Sequence, residues 1–333
     1  MECPALKTSK VNGLSLQEID KVTNKLSSYL VSILFVTLST FLGILLDMLL
    51  GVPVLFGLLF FILSAFQVIL GLSVVTRTIT KVVNAYSSEP EHSREFLPVE
   101  TSDELSTILS SVKKDAEYEE DLEIMIIPSP SINALSVGMR SHDHVICITT
   151  GALEQLTKEE MKAVLYHEMY HIIKRETDYM TSVSGTFGSP FLTFTLATRK
   201  IKKLNEKIKK AENHSIKEYV RTDFVITMLI TVTSFMFFPI SFLSNLFVSV
   251  RKEFDADRYA VSKTSKTAVI EALKKVKNNC QKVENDYFFM QHLFFSQPNC
   301  KETSKKFGRI IGTYPSIDER IKAIENLRTD GVN

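Results

Sequence analysis

The chain has 333 residues, 45% of them hydrophobic, and a formal net charge of +1. That length and apolar content allow two ordinary domains or one domain combined with membrane segments, and the uneven distribution of apolar residues favours the second. Neither bulk charge nor any basic stretch interleaved with aromatics supports a nucleic-acid surface, so nucleic acid is not an expected partner.

Residues 1–28 are polar and mixed in charge and predict a short cytosolic tail. The apolar run begins only at Tyr29 and is longer than a signal-peptide core. Tyr29 to Leu50 and Val54 to Val75 are each long enough to cross a bilayer, and the turn Gly51-Val52-Pro53 between them makes residues 29–75 a transmembrane hairpin. Asp47 lies close to that turn, which places it at the interface, and Gln67 is expected to bond to a neighbouring helix.

Residues 76–178 are soluble in composition and read as the first part of a catalytic domain. Thr101 to Tyr118 predicts an amphipathic helix, with Leu105, Ile108, Leu109 and Val112 on one side. Leu122 to Ile127, Asn133 to Gly138 and His144 to Thr149 predict three strands. His142 and His144 stand at a turn without a third ligand nearby and are read as solvated. An edge strand just before a metal helix can hold an extended peptide by backbone pairing, and Asn133, Ala134 and Leu135 are the residues expected to do so.

His167-Glu168-Met169-Tyr170-His171 has the HExxH spacing. Residues four apart share a helix face, so both imidazoles reach one zinc ion while Glu168 lies beside the remaining coordination position, as a base for water. Thr157 and Glu160 form a capping-box start, and Met161, Val164 and Leu165 provide the apolar side of the same helix.

Residues 179–250 read as membrane segments three and four: Tyr179 to Thr198, interrupted by Gly185, Gly188 and Pro190, and the more apolar Phe224 to Val250, with Pro239 near its middle. Between them residues 199–221 carry nine Lys or Arg against three Glu, with Ile201, Leu204, Ile208 and Ala211 on one helical side. A dense basic loop marks the cytosolic face, which would put the active site outside. The opposing count, twelve basic residues near the membrane on the site's own side, leans toward a cytosolic active site. A third topology has Tyr179 to Thr198 not crossing and Phe224 to Val250 re-entering around Pro239.

Residues 251–333 read as the second part of the catalytic domain. Glu253 and Asp257 are four apart and face the same way, so Glu253 completes a two-His, one-Glu site and Asp257 bonds to a ligating imidazole. The stretch from Thr267 onward reads as helices. His292 in the aromatic run Tyr287 to Phe295 reads as a packed core histidine, and Arg320 as a structural anchor. Cys3, Cys147, Cys280 and Cys300 show no metal spacing and are expected to be reduced thiols.

Four pieces together resemble the membrane zinc metallopeptidase family that contains HtpX and the CAAX prenyl proteases: Asn133-Ala134-Leu135, the run from Thr149 to His171, the Glu253 to Asp257 pattern, and Pro315 to Ile321. The order, with two spans before the motif, is similar to the HtpX arrangement. The resemblance implies an α+β, mostly helical fold: a gluzincin-type zinc peptidase domain with a small β-sheet, combined with about four transmembrane helices. It also implies one Zn2+ per chain on His167, His171 and Glu253, catalysis by Glu168, protein or peptide substrates, and a multi-pass membrane protein with a cytosolic site. Tyr314 stands where such chains often have His, so no fourth histidine is assumed there. The stretch His171 to Asp178 is also similar to the BlaR-type sensor peptidases, which keeps two other readings open: a regulated processing protease of narrow specificity, and a membrane sensor that holds zinc without cleaving.

Overall fold

The computed structural model describes residues 16–88, 99–140, 142–210, 214–243, 250–279, 281–284, 287–298 and 315–327. Tyr314, Cys3, Cys280, Cys300 and Ala211 lie outside them. The chain divides into two compact units, one built from residues 1–28, 75–181 and 245–333 and the other from 29–74 and 182–244.

In the first unit a four-stranded sheet has the order β1-β2-β4-β3. Its strands are β1 (Tyr86–Ser87), β2 (Leu122–Ile127), β3 (Ala134–Val137) and β4 (His144–Thr149). β2 and β4 run parallel, and β1 and β3 add on antiparallel. Every residue of β4 is buried, the pattern of a central strand covered on both faces, and its run of apolar residues fits that position. The helix α3 (Val99–Asp115) places Leu105, Ile108 and Val112 in the core, as their spacing predicts. It stops before Tyr118 because Glu117 takes a left-handed φ of 51°.

After β4 come α4 (Thr150–Gln155) and α5 (Lys158–Ile173). α5 opens on the expected capping box: Thr157 accepts from the Glu160 N–H while the Glu160 carboxylate accepts from the Thr157 N–H. Val164, Leu165 and Met169 of α5 pack with Ile146 and Ile148 of β4 in one core.

The next helix, α6 (Glu176–Lys210), continues into the second unit, followed there by α7 (His214–Met236) and α8 (Phe238–Ser241). The first unit then resumes with α9 (Val250–Lys263) and α10 (Lys266–Asn278), a 3₁₀ turn at Gln291–Leu293, and α11 (Ile317–Glu325). The aromatic run is therefore not helical: Phe294 bridges to Leu135 of β3, which takes its backbone out of any helix.

The second unit also holds most of α1 (Leu16–Leu50) and α2 (Leu55–Val82), whose turn has Gly51 at a φ of 66°. Asp47 accepts the backbone N–H groups of Phe56 and Gly57, each at 2.8 Å, so this acid satisfies the open first turn of α2. Gln67 donates to Ser234 Oγ at 3.0 Å on α7. A Cβ on Gly71 would lie 2.5 Å from the Gly185 carbonyl oxygen, so glycine lets α2 and α6 approach backbone to backbone.

Among the described residues, three helical stretches are long and apolar enough to cross a membrane: Val22–Leu50, Leu55–Val82 and Glu218–Met236. The middle of α6, expected as a further segment, is helical but rich in Ser, Thr and Gly and falls short of that hydropathy. Residues 199–210 prolong this same helix, with Leu204 buried, and do not form a separate amphipathic one. Pro190 sits inside α6 and has no N–H for the Thr186 carbonyl; the Ser189 hydroxyl donates to it at 2.9 Å instead. α7 ends at Met236, since Pro239 likewise leaves no donor for Phe235.

Candidate metal centre

His167 and His171 lie one turn apart on the buried face of α5, and Glu253 comes from the first turn of α9. Their ligand atoms converge: His167 Nε2 is 3.2 Å from His171 Nε2 and 3.4 Å from a Glu253 carboxylate oxygen, whose other oxygen is 3.7 Å from His171 Nε2. A tetrahedral zinc with bonds of about 2.0–2.1 Å sets its ligand atoms roughly 3.3 Å apart, and the separations of His167 Nε2 from His171 Nε2 and from the nearer Glu253 oxygen are already close to that spacing. Glu253 Oε2 is buried without a hydrogen-bond partner among the described residues, which a cation at this point would satisfy. The residues present fit a zinc ion.

Each imidazole is held from behind by a carboxylate on its Nδ1: Asp257 at 3.0 Å from His167, and Glu176 at 2.8 Å from His171. Both Nε2 atoms are thereby turned to the shared point. Asp257 is itself clamped by Arg320, with Nε at 2.8 Å and Nη2 at 2.6 Å. Burial works against ionising Asp257, and the Arg320 guanidinium overrides it, holding the carboxyl well below the usual range. Burial also opposes charge on His167, yet the carboxylates of Asp257 and Glu253 outweigh it and raise the metal-free imidazole to about 9.

Glu168 is buried beside this set, and burial pushes its carboxyl above the ordinary range against the pull of the two imidazoles and the Ser136 hydroxyl. Ser136 Oγ is also 3.1 Å from Thr177 Oγ1. A small cleft opens in front, with Glu168, His171 and Glu253 on the polar side and Met180, Leu293 and Phe294 as the apolar wall. A buried carboxylate at an open position beside a cation site can exchange a proton with water.

The expected edge residues lie at the start of β3, where the chain supplies its own partner. The Ala134 carbonyl accepts from Phe295 N–H at 2.7 Å. The Asn133 carboxamide donates to the Ser296 carbonyl at 3.0 Å and accepts its N–H at 3.2 Å. Ser136, one residue beyond Leu135, is the β3 residue that lines the cavity.

The model of peptidase family M48 matches residues 100–328, more than two thirds of the chain. This chain belongs to that family. Curated relatives include protease HtpX of Buchnera aphidicola (Schizaphis graminum), 26% identical over 62% of this chain and 67% of that protein. Protease HtpX of Wigglesworthia glossinidia brevipalpis is 29% identical over 61% and 65%, and the HtpX homolog of Methylacidiphilum infernorum 28% over 62% and 66%. The chain spans about two thirds of the length of these relatives. With its apolar helices, this M48 chain is an integral membrane protein.

Three residues of the centre escaped the sequence reading. Glu176 was legible only as a carboxylate just past the metal helix, five positions after His171. Arg320, read as a structural anchor, forms the expected ion pair, but inside the metal centre. His292 is buried as expected and also lines the cavity; its Nε2 bonds to the Met180 carbonyl at 3.1 Å, and burial lowers the imidazole to about 4 against that bond's pull. His144 corrects the solvated reading: it is buried between Tyr118 Oη at 2.9 Å and Asp178 at 2.8 Å, because it opens the central strand β4, which is covered on both faces, while His142 is exposed.

Proposed function

We propose that this chain is a membrane zinc endopeptidase that hydrolyses peptide bonds of misfolded or membrane proteins, with one zinc ion on His167, His171 and Glu253 and Glu168 as the general base. The observation that carries this reading is the place of Glu168, a buried carboxylate facing the cavity beside the cation site. A purely structural zinc site has no use for such a group. Zinc supplies Lewis acidity there, lowering the pKa of water and polarising a carbonyl. Glu168 takes the proton of the attacking water and returns it to the leaving amine. The Ser136 hydroxyl favours the ionised carboxylate.

The peptide lies along the cavity. Ala134 already pairs with Phe295, so the incoming backbone meets Ser136 and the Leu293–Phe294 segment while Asn133, Ala134 and Leu135 hold that segment as an extension of the edge. The count of basic residues favours a cytosolic site in a multi-pass protein.

The test is cleavage of an unfolded protein by the detergent-purified chain and by Glu168→Gln, with zinc measured in both. Zinc in both and cleavage by the parent alone is the expected result. Cleavage by Glu168→Gln, or zinc in neither, overturns the proposal. Cleavage confined to a single bond replaces quality control by a processing role.

A further inference from the structure

Between the metal helix and the helix of the third ligand lies a side chain that the site described so far does not use. Asn24 of α1 donates through Nδ2 to the Lys174 carbonyl at 2.8 Å, and its Oδ1 accepts from Lys252 Nζ at 3.1 Å. Lys174 is the C-cap of α5, two residues before Glu176; Lys252 is the residue before Glu253. All five belong to the unit that holds the site.

The turn at Lys174 and Arg175 is one that an ordinary chain resists. It has to deliver Glu176 to His171 across only the two residues that follow the end of α5, and it does so with Arg175 at a φ of 57°. A non-glycine residue in that region is strained and persists only where its surroundings over-determine it. The surroundings here are Glu120 and Asp178 on the Arg175 guanidinium, at 3.1 and 3.2 Å, and Asn24 on the carbonyl just before it. A carbonyl at a helix end has no partner inside its own helix, and Asn24 provides one. Lys252, at the other end of the Asn24 carboxamide, also approaches the Glu176 carboxylate at 3.6 Å.

We infer that Asn24 is a positioning residue for the metal site: its carboxamide ties the turn that aims Glu176 at His171 to the backbone neighbour of the third ligand, Glu253. The helix that carries it runs on as the candidate span Val22–Leu50. This rests on the zinc peptidase reading above for its effect on catalysis, but not for its effect on metal binding.

The experiment uses the full chain in detergent with Asn24→Leu, Asn24→Asp and, as a control on the same helix, Lys25→Ala. Zinc affinity is measured against a competing chelator, the visible spectrum is recorded after Co2+ substitution, and kcat and KM are followed on an unfolded protein. For Asn24→Leu the expected result is zinc binding weakened roughly tenfold, the range seen when a ligand's outer partner is removed. Its Co2+ spectrum should be altered and its kcat lowered, with KM within twofold of the parent. Asn24→Asp keeps the contact to Lys252 but cannot donate to Lys174, and should fall between the two; it carries the test if Asn24→Leu does not fold. Lys25→Ala should match the parent. Parental zinc affinity and Co2+ spectrum in both Asn24 variants overturn the inference. If the parent binds zinc and cleaves nothing, the peptidase reading fails by itself, and the affinity and spectrum still decide the role of Asn24.

Discussion

Arg320 and Asp257 are both fully buried and meet through two hydrogen bonds, 2.8 and 2.6 Å long, directly behind His167 of the candidate metal centre. Arg320 also donates to the Phe295 carbonyl at 2.6 Å and lies over the Phe295 ring, so one guanidinium joins α9, α11 and the segment paired with β3. Removing one partner of such a pair leaves a buried charge uncompensated, at about 3–5 kcal/mol. Arg320→Met should lower the stability of the first unit by that amount in a denaturant titration. Adding Asp257→Leu to it should recover part of the loss, and strictly additive losses would show that the pair does not act as one.

The carboxylate behind the second imidazole gives a separate expectation. Glu176→Gln keeps the shape and can still contact His171 Nδ1, but no longer offers a charged acceptor. Zinc affinity should fall about 10–100-fold with the fold intact, measured by dialysis against graded chelator. An unchanged affinity would mean that His171 is oriented by its packing alone.

His292 makes stability depend on pH. Its folded pKa of about 4 lies below the unfolded value of about 6.5, so the buried ring is neutral where the unfolded chain takes up a proton. Its contribution is fully present above pH about 6.5 and is lost as pH falls through about 4, roughly 3 kcal/mol in all. Unfolding measured from pH 7 to 4 should show this decline superimposed on that from the carboxylates. His292→Gln should remove the part between pH 6.5 and 4, and an identical slope in both proteins would assign the decline elsewhere.

In the apolar unit, Ser189 and Pro190 form a coupled pair through the Thr186 carbonyl. Ser189→Ala leaves that carbonyl without its donor and should cost about 1–2 kcal/mol. In a Pro190→Ala background the restored N–H takes over the bond, so the same change should cost much less. Equal costs in both backgrounds would show that the hydroxyl is not the proline's substitute.

What could be read from the sequence is what the backbone settles within a few residues. The capping box at Thr157, the shared face of His167 and His171, the pairing of Glu253 with Asp257 four residues on, and the strands 122–127 and 144–149 all follow from helix or strand period. The tertiary structure decided which distant groups complete them. Glu176 reaches His171 only because Arg175 adopts a left-handed turn, and Arg320 and Asn24 approach from 153 and 150 residues away in the chain. The edge of β3 looked open because its partner, Phe294 to Ser296, lies more than 150 residues further on and reads locally as an aromatic helix. The physical reason is that periodicity fixes where a side chain points, whereas burial makes every desolvated charge and backbone group find a partner, from whatever part of the chain the fold brings to it.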